Sequence, residues 1–215
     1  MYGCWFANAQ DKGAEMTVGK KVFVVLLLLL MAPGAWAQRA VDAAQFSVSG
    51  VKLGMEWEQA QRVASSFMQV PPSAVKPFTL NNQITGRRQP MGFEISAPNG
   101  SLRVRFAAEP DLNGAIRVSA VEYEIPWSQE NAERLRQAAL EKYGSPSSAL
   151  ESVNLQWCAH PNENPGLGCA NMGHQGQAEQ AVLEAVGNKL SLQDRGAHIR
   201  MQRYLDSKRS TTPRF

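Results

Sequence analysis

Two cysteines and two histidines lie close together in the C-terminal half of the chain. Cys158 and Cys169 are separated by ten residues rich in Pro, Asn and Gly, and His160 and His174 flank the same segment. These residue types fit either a disulfide bond or a metal site made of Cys158, His160, Cys169 and His174. Structural zinc sites usually space paired ligands by two to four residues, whereas one residue separates Cys158 from His160. The spacing therefore favours the disulfide, and we expect no cofactor.

A secretory signal at the N-terminus also favours the disulfide over a metal site. Lys20 and Lys21 precede the apolar run of residues 22–32, and Ala-Trp-Ala follows at residues 35–37 after a Pro-Gly break. A basic start, a short apolar run and small residues at the cleavage site are the three parts of a signal peptide. A membrane-spanning helix would need about 20 apolar residues. We expect cleavage after Ala37 and export to the periplasm, an oxidising compartment in which disulfides persist.

The residues around this signal set the limits of the mature protein and its partners. Met16 opens a Met-Thr-Val-Gly-Lys-Lys stretch, so we interpret residues 1–15 as a mis-assigned start extension and residues 16–37 as the signal peptide. Beyond residue 37 no apolar run approaches the length of a membrane span, and none is expected after signal removal. The chain carries 22 Lys and Arg against 19 Asp and Glu. This near-balance argues against nucleic acid as a partner.

Two amphipathic helices are predicted in the mature chain. Residues 56–69 place apolar side chains at helical spacing and are followed by two prolines. The second helix follows Ser128, which can cap its first turn. It ends at Gly144, which can adopt the positive φ of a C-cap, and Pro146 prevents its continuation. Each helix should present one apolar stripe to a core.

After the first helix the apolar period changes from 3.6 to 2, which is typical of strands. Residues 93–97 and 102–106 alternate on either side of Asn99-Gly100 and predict a hairpin with one polar face. Residues 115–125 continue as a third strand, in which the apolar positions switch parity. A β-bulge near Ser119 would bring both sets of apolar residues to one face.

Further strands are predicted on either side of this hairpin. Residues 75–80 can form a strand, which Pro77 would confine to a sheet edge because proline has no N–H to donate. After the second helix, alternation predicts four short strands at residues 153–157, 181–186, 190–192 and 197–201. The last of these would place His198 on the solvent side of the sheet.

The order of these elements predicts an α+β fold of two repeats. Each repeat is a helix followed by an antiparallel meander, and together they would form an antiparallel sheet covered by helices on one face. We place the first repeat at residues 46–126 and the second, with its disulfide loop, at residues 127–206. Residues 207–215 are polar and basic, and we expect a flexible tail.

Three short motifs carry a resemblance to exported proteins of Gram-negative bacteria. They are VKLGM at residues 51–55 before a helix, KYGSP at residues 142–146 at a helix end, and Trp157 in the following strand. The arrangement resembles the tandem repeat of β-lactamase inhibitor protein and the single repeat of the BamE/SmpA envelope-assembly lipoproteins. The resemblance implies a binding or scaffolding role in the envelope. The chain lacks the lipidated cysteine of those lipoproteins, and no functional residue is carried over.

The sequence offers little for catalysis and somewhat more for binding. It contains neither a G-x-S-x-G nucleophile elbow nor a glycine-rich phosphate loop, so no catalytic residue is assigned and an enzyme is not expected. Trp57 and Trp127 stand at the starts of the two helices. A ring at that position can either fasten the helix to the sheet or remain exposed as an interface anchor.

Two functions from different classes therefore remain as hypotheses. The leading one is a non-catalytic periplasmic protein that binds or scaffolds another envelope protein. The alternative is a small hydrolase, or a ligand- or metal-binding domain, whose site lies under the loop of residues 159–178. The sequence names neither the partner nor the ligand.

Overall fold

An antiparallel sheet of eight strands forms the body of the protein. The structure is a computed structural model that describes residues 40–150, 154–169 and 179–210. In chain order the elements are β1 (Ser47–Val48), β2 (Val51–Lys52), α1 (Trp57–Met68), β3 (Lys76–Asn81), β4 (Arg88–Ala97), β5 (Gly100–Glu109), β6 (Ala115–Glu124), α2 (Gln129–Tyr143), β7 (Ser148–Leu150), β8 (Asn154–Cys158), β9 (Ala181–Val186), β10 (Lys189–Asp194) and α3 (Gly196–Ser210). The predicted α+β class with a large antiparallel sheet is confirmed.

The strands of this sheet follow the order β3-β4-β5-β6-β10-β9-β8-β7, and β1 and β2 form a separate hairpin. All the pairings are antiparallel. The two edges are β3 and the three-residue β7. Pro77 lies in β3, so the prediction of an edge strand is confirmed. A proline at one edge and a very short strand at the other both limit pairing with foreign strands.

One face of the sheet is apolar and carries the core. The register aligns Pro77, Phe93, Val104, Val121, Leu192, Leu183 and Trp157 in one row across seven strands. Apart from Pro77, every member of this row has no exposed surface. Helices α1 and α2 pack on this face, and their buried residues join the same cluster. Because side chains alternate along a strand, the next row must face the other way.

The neighbouring row is polar at every position. It contains Lys76, Glu94, Arg103, Glu122, Ser191, Glu184, Gln156 and Ser148, one from each of the eight strands. Arg103 donates to Glu94 at 2.9 Å and lies 3.9 Å from Glu122. The hydrogen bond and charge of Glu94 raise the pKa of Arg103. Such partly exposed pairs contribute only a few tenths of a kcal/mol each. At the other end of the row, Ser191, Gln156 and Ser148 are buried.

The bulge predicted near Ser119 is confirmed. Phe106 pairs with Val118 and Arg105 pairs with Ala120, so Ser119 has no partner in the register of β5 and β6. The Ser119 hydroxyl donates to the carbonyl of Arg105 at 3.3 Å. The extra residue restores the inward direction of the apolar side chains on both sides of the bulge, because a strand alternates with a period of two.

Both predicted helices are also confirmed, and their ends are where the sequence suggests. The Ser128 hydroxyl accepts from the backbone N–H of Asn131 at 3.0 Å, at the start of α2. Gly144 follows the last turn with a φ of 77°. Helix α1 begins after Glu56 and ends before Gln69, which adopts the left-handed conformation.

The strand predicted at residues 197–201 is wrong, because these residues lie in the helix α3. Ala197 and Met201 are four residues apart, a spacing that puts them on one side of a strand and also on one side of a helix. Alternation over five residues therefore cannot separate the two structures. The polar residues that follow are good helix formers, and α3 continues to Ser210, into the segment 207–215 assigned to a tail. Residues 211–215 lie outside the described residues.

Helix α3 is anchored by one arginine that reaches two strand ends. The Arg200 guanidinium donates to Asp194 at 2.8 Å and to Glu109 at 3.0 Å. Burial by itself lowers the pKa of Arg200, but the hydrogen bonds and charges of the two carboxylates outweigh burial and raise it. Within the described residues no helix is both long and apolar enough to cross a membrane.

The end of α2 holds the β1–β2 hairpin through a buried tyrosine. The Tyr143 hydroxyl donates to the carbonyl of Ser47 at 2.7 Å, and the Lys142 ammonium donates to the same oxygen at 3.0 Å. Burial raises the pKa of Tyr143 from its usual value of 10.0 to about 12. The folded state therefore favours the neutral phenol of Tyr143 over the phenolate.

This shift predicts a loss of stability at high pH. Because the folded pKa lies above the unfolded one, the contribution of Tyr143 is fully present below pH 10.0 and is lost as the pH rises through about 12. We expect the free energy of unfolding, measured with urea, to fall less steeply over this range in Tyr143→Phe than in the parent. Tyr204→Phe on α3 is the control and should follow the parent. Equal slopes for the parent and Tyr143→Phe would contradict the prediction.

Candidate functional site

Cys158 and Cys169 are joined. Cys158 at the end of β8 and Cys169 in the following loop have their sulfur atoms 2.08 Å apart, at the distance of a disulfide bond, as the sequence predicts. Neither cysteine has exposed surface, and both pack against Val182 of β9 in a small apolar cluster. Val182 faces away from the main core, so the loop covers the polar face of the sheet at this end.

The loop is held mainly by polar side chains that the sequence analysis missed. Gln156 accepts from the backbone N–H of Cys169 at 2.7 Å and donates to Glu184 at 2.7 Å. Arg195 donates to the carbonyl of Cys169 at 2.6 Å. Gln156 is only 5% exposed, and an amide at that depth is favourable only because its hydrogen bonds are made. No sequence signal marks Gln156, because its partners come from a loop and a neighbouring strand.

His160, one member of the alternative metal set, is held through its backbone. The Gln180 side chain accepts from the His160 N–H at 2.8 Å and donates to the His160 carbonyl at 3.0 Å. His174 lies outside the described residues. Among residues 40–150, 154–169 and 179–210 no three His, Cys, Asp or Glu side chains form a cluster that could hold a metal ion. Residues 159–169 are the described part of the loop in which the alternative hypothesis places a site. This segment is held by the disulfide and by the side-chain amides of Gln156 and Gln180.

Trp57, the first of the two tryptophans, packs into the core. Its ring lies 5.0 Å from Phe106 and 5.3 Å from Phe93, measured between ring centroids. It thereby fastens the first turn of α1 to β4 and β5. Of the two interpretations of a tryptophan at a helix start, this geometry supports the structural one for Trp57.

Trp127 is placed differently, because its side chain is 71% exposed. It stands before α2, and its ring lies over Gly187 in the β9–β10 turn, where an added Cβ would come within 3.2 Å of the ring. The ring forms one wall of a groove of about 510 Å³. Its indole N–H has no hydrogen-bond partner among the described residues.

The rest of this groove comes from α2 and the end of β9. Ala132, Ala185 and Gly187 form a floor of small residues, while Gln129, Glu133 and Arg136 stand around it. Glu133 accepts from Arg136 at 3.4 Å and from Gln137 at 2.6 Å, so these rim charges are paired within the helix. The groove is therefore an apolar slot beside an exposed tryptophan, with a neutral polar rim.

The carboxylates of the polar face show no catalytic arrangement. Glu122 lies between Arg103 at 3.9 Å and Lys189 at 3.8 Å. Glu124, on the same strand, accepts from the Asn188 side chain at 3.3 Å. Each carboxylate thus has a structural partner: Glu122 has partners on β5 and β10, and Glu124 has one in the β9–β10 turn.

Comparison of the chain with protein-family models, with curated proteins and with solved structures finds no match in any of the three. The resemblance to the BamE/SmpA lipoproteins and to β-lactamase inhibitor protein therefore remains an expectation drawn from short motifs.

Proposed function

We propose that this is a non-catalytic periplasmic protein that binds another envelope protein through the groove beside Trp127. The observation that carries the proposal is the 71% exposure of the Trp127 side chain at the rim of an apolar slot. Tryptophan is enriched among the residues that dominate protein interfaces, because one ring buries a large area and adds a hydrogen-bond donor.

The chemistry of the groove defines the partner that it suits. Small residues on the floor leave room for an aliphatic or aromatic side chain beside the Trp127 ring. The unpaired indole N–H requires an acceptor when it is buried, and a backbone carbonyl of the partner would supply one. Because Glu133 and Arg136 are already paired, the partner does not need a strong charge of its own at this place.

Export belongs to the same proposal. The signal of residues 16–37, with cleavage after Ala37, would deliver the chain to a compartment in which the Cys158–Cys169 bond is stable. Residues 1–39 lie outside the described residues, so support for export comes from the sequence and from the disulfide.

The two-repeat architecture is proposed on the order of the elements. Residues 46–126 contain α1 followed by β3, β4, β5 and β6, and residues 127–206 contain α2 followed by β7, β8, β9 and β10. The last strands of the two groups, β6 and β10, are neighbours in the middle of the sheet, and each group continues outward in reverse order. This arrangement supports two similar units joined edge to edge, with α3 added after the second.

A photocrosslinking experiment tests the function. A photoreactive amino acid in place of Ala132, inside the groove, should link the exported protein to one envelope protein at a defined position. The same residue in place of Lys76, on the far edge strand, is the control and should not form that product. Crosslinks only between two copies of this chain would contradict the proposal, because the occupant would then be a second copy.

Binding of the captured partner should depend on the tryptophan. We expect Trp127→Ala to raise the dissociation constant about 30-fold, since a central interface residue contributes on the order of 2 kcal/mol. Leu112→Ala is the matched control, because Leu112 is also a large exposed side chain, at 48% exposure. It lies in the turn before β6, at the opposite end of that strand from Trp127. Equal affinities for the parent and Trp127→Ala, measured by titration calorimetry, would refute this surface.

A further inference from the structure

A second cleft lies on the polar side of the sheet, beneath the first turns of α3. Its volume is about 370 Å³. The walls come from α3 and from side chains of β3, β4, β5, β6 and β10, so it is separate from the groove beside Trp127. The residues that matter for its chemistry are Leu80, Met91, Arg105, Ala120, His198 and Met201.

The cleft contains an arginine whose charge is not balanced by a neighbour. Arg103 and Arg105 are two residues apart on β5 and face the same way. Arg103 lies between Glu94 and Glu122 in the register and pairs with both. Arg105 lies between Gly92 and Ala120, neither of which can accept a hydrogen bond through its side chain. Among the described residues the Arg105 guanidinium has no ion pair.

The carboxylates near the cleft are committed elsewhere. Asp194 lines the cleft, but one of its oxygens accepts from the backbone N–H of Gly196 at 2.9 Å and the other accepts from Arg200 at 2.8 Å. Glu109 is held by the same Arg200 at 3.0 Å. These carboxylates are held by α3 and do not pair with Arg105. His198 is the other basic side chain in the lining.

The remaining walls combine apolar and polar side chains. The polar ones are Asn81, Gln83, Ser119, Gln193 and His198. Leu80 is 59% exposed although it is a large apolar residue on an edge strand. Met91, Met201 and Ala120 continue this surface inside the cleft. A methionine side chain is flexible and can adjust to a hydrocarbon chain. The volume is near the lower end of the range of roughly 300 to 1,000 Å³ for ligand pockets, which restricts the ligand to a small molecule.

We propose that this cleft binds a small monocarboxylate that carries an aliphatic chain. The carboxylate lies on the Arg105 guanidinium, whose planar pair of N–H donors matches two carboxylate oxygens. The chain lies along Leu80, Met91 and Met201. A single negative charge suffices because Arg105 is the one arginine or lysine in the described lining of the cleft, and the apolar side chains of Leu80, Met91 and Met201 receive the hydrocarbon chain.

Titration calorimetry with octanoate tests this site in the purified protein. We expect saturable binding of one octanoate, and no comparable binding of the neutral octanamide or of acetate, which lack the charge and the chain respectively. Binding of a dipeptide ending in leucine with no binding of octanoate would overturn the proposal, because the cleft would then recognise a peptide C-terminus. Absence of octanoate binding at millimolar concentration would also overturn it.

Variants of the two arginines separate this site from a general charge effect. Arg105→Gln should weaken octanoate binding about 10-fold or more, since it removes a charge-assisted hydrogen bond. Arg103→Gln, which removes the same charge two residues away, should leave binding within about twofold of the parent. Equal losses in the two variants would refute the assignment of Arg105.

A third variant tests the apolar wall without touching any charge. Leu80→Gln should weaken octanoate binding, because it removes part of the apolar wall along which the chain lies. Leu80 and Arg105 are both exposed, so thermal unfolding of each variant should match the parent. A parent-like octanoate affinity in Leu80→Gln would contradict the position given to the chain.

Discussion

Trp157→Ala is expected to lower the free energy of unfolding by about 3 to 5 kcal/mol, which is the typical cost of removing a buried aromatic ring. Trp157 has no exposed surface and lies in the central apolar row, beside Leu183. Its ring also contacts Tyr143, with 5.8 Å between centroids. Urea unfolding followed by circular dichroism measures the change.

A more conservative variant separates packing from hydrogen bonding at this residue. The Trp157 indole donates to the carbonyl of Gly144 at 3.1 Å, at the C-terminal end of α2. Trp157→Phe keeps most of the apolar ring and loses this donor, so we expect a smaller cost, on the order of 1 to 3 kcal/mol. A cost below about 1 kcal/mol for Trp157→Ala would mean that the ring does not join α2 to the sheet.

Reduction of the Cys158–Cys169 bond is expected to lower the free energy of unfolding by roughly 2 to 4 kcal/mol, mainly because the unfolded chain gains freedom. The loss should remain local. The bond closes a loop held by polar groups such as Gln156 and Arg195, whereas the rows that form the core lie outside it. Helical circular dichroism should therefore persist after reduction at moderate temperature.

The control for this experiment is the double variant Cys158→Ser/Cys169→Ser. Its stability should match that of the reduced parent and should not change when reductant is added. The metal alternative predicts the opposite pattern, with free thiols in peptide mapping and destabilisation by a chelator. One equivalent of bound zinc, with both thiols reactive after its removal, would overturn the disulfide.

Several elements of the fold follow from local residue patterns. The cap residue Ser128, the terminal Gly144 and the apolar spacing between them suffice to define α2, because helix ends depend on groups within one turn. The bulge at Ser119 is visible as a change of parity, and Pro77 restricts its strand to an edge. Each of these features depends on side chains within a few residues along the chain.

Other elements could not be predicted in this way. Strand β7 has three residues, too few to show alternation, and the five residues from 197 to 201 fit both a strand and a helix. Helix α3 is held against the sheet by ion pairs of Arg200, whose partners Asp194 and Glu109 come from the ends of two different strands. The amides that hold the disulfide loop were missed for the same reason, since their partners are distant in the sequence.

The sequence by itself determined which side chains share a face of a strand or helix, and which thiols could be joined. Only the tertiary structure decided which of two similar residues has a packing or ion-pair partner. Trp57 finds Phe93 and Phe106, while Trp127 remains exposed over a glycine turn. Arg103 faces two glutamates, while Arg105 faces Gly92 and Ala120. The physical reason is that cross-strand neighbours are set by register and sheet order, which local periodicity does not encode.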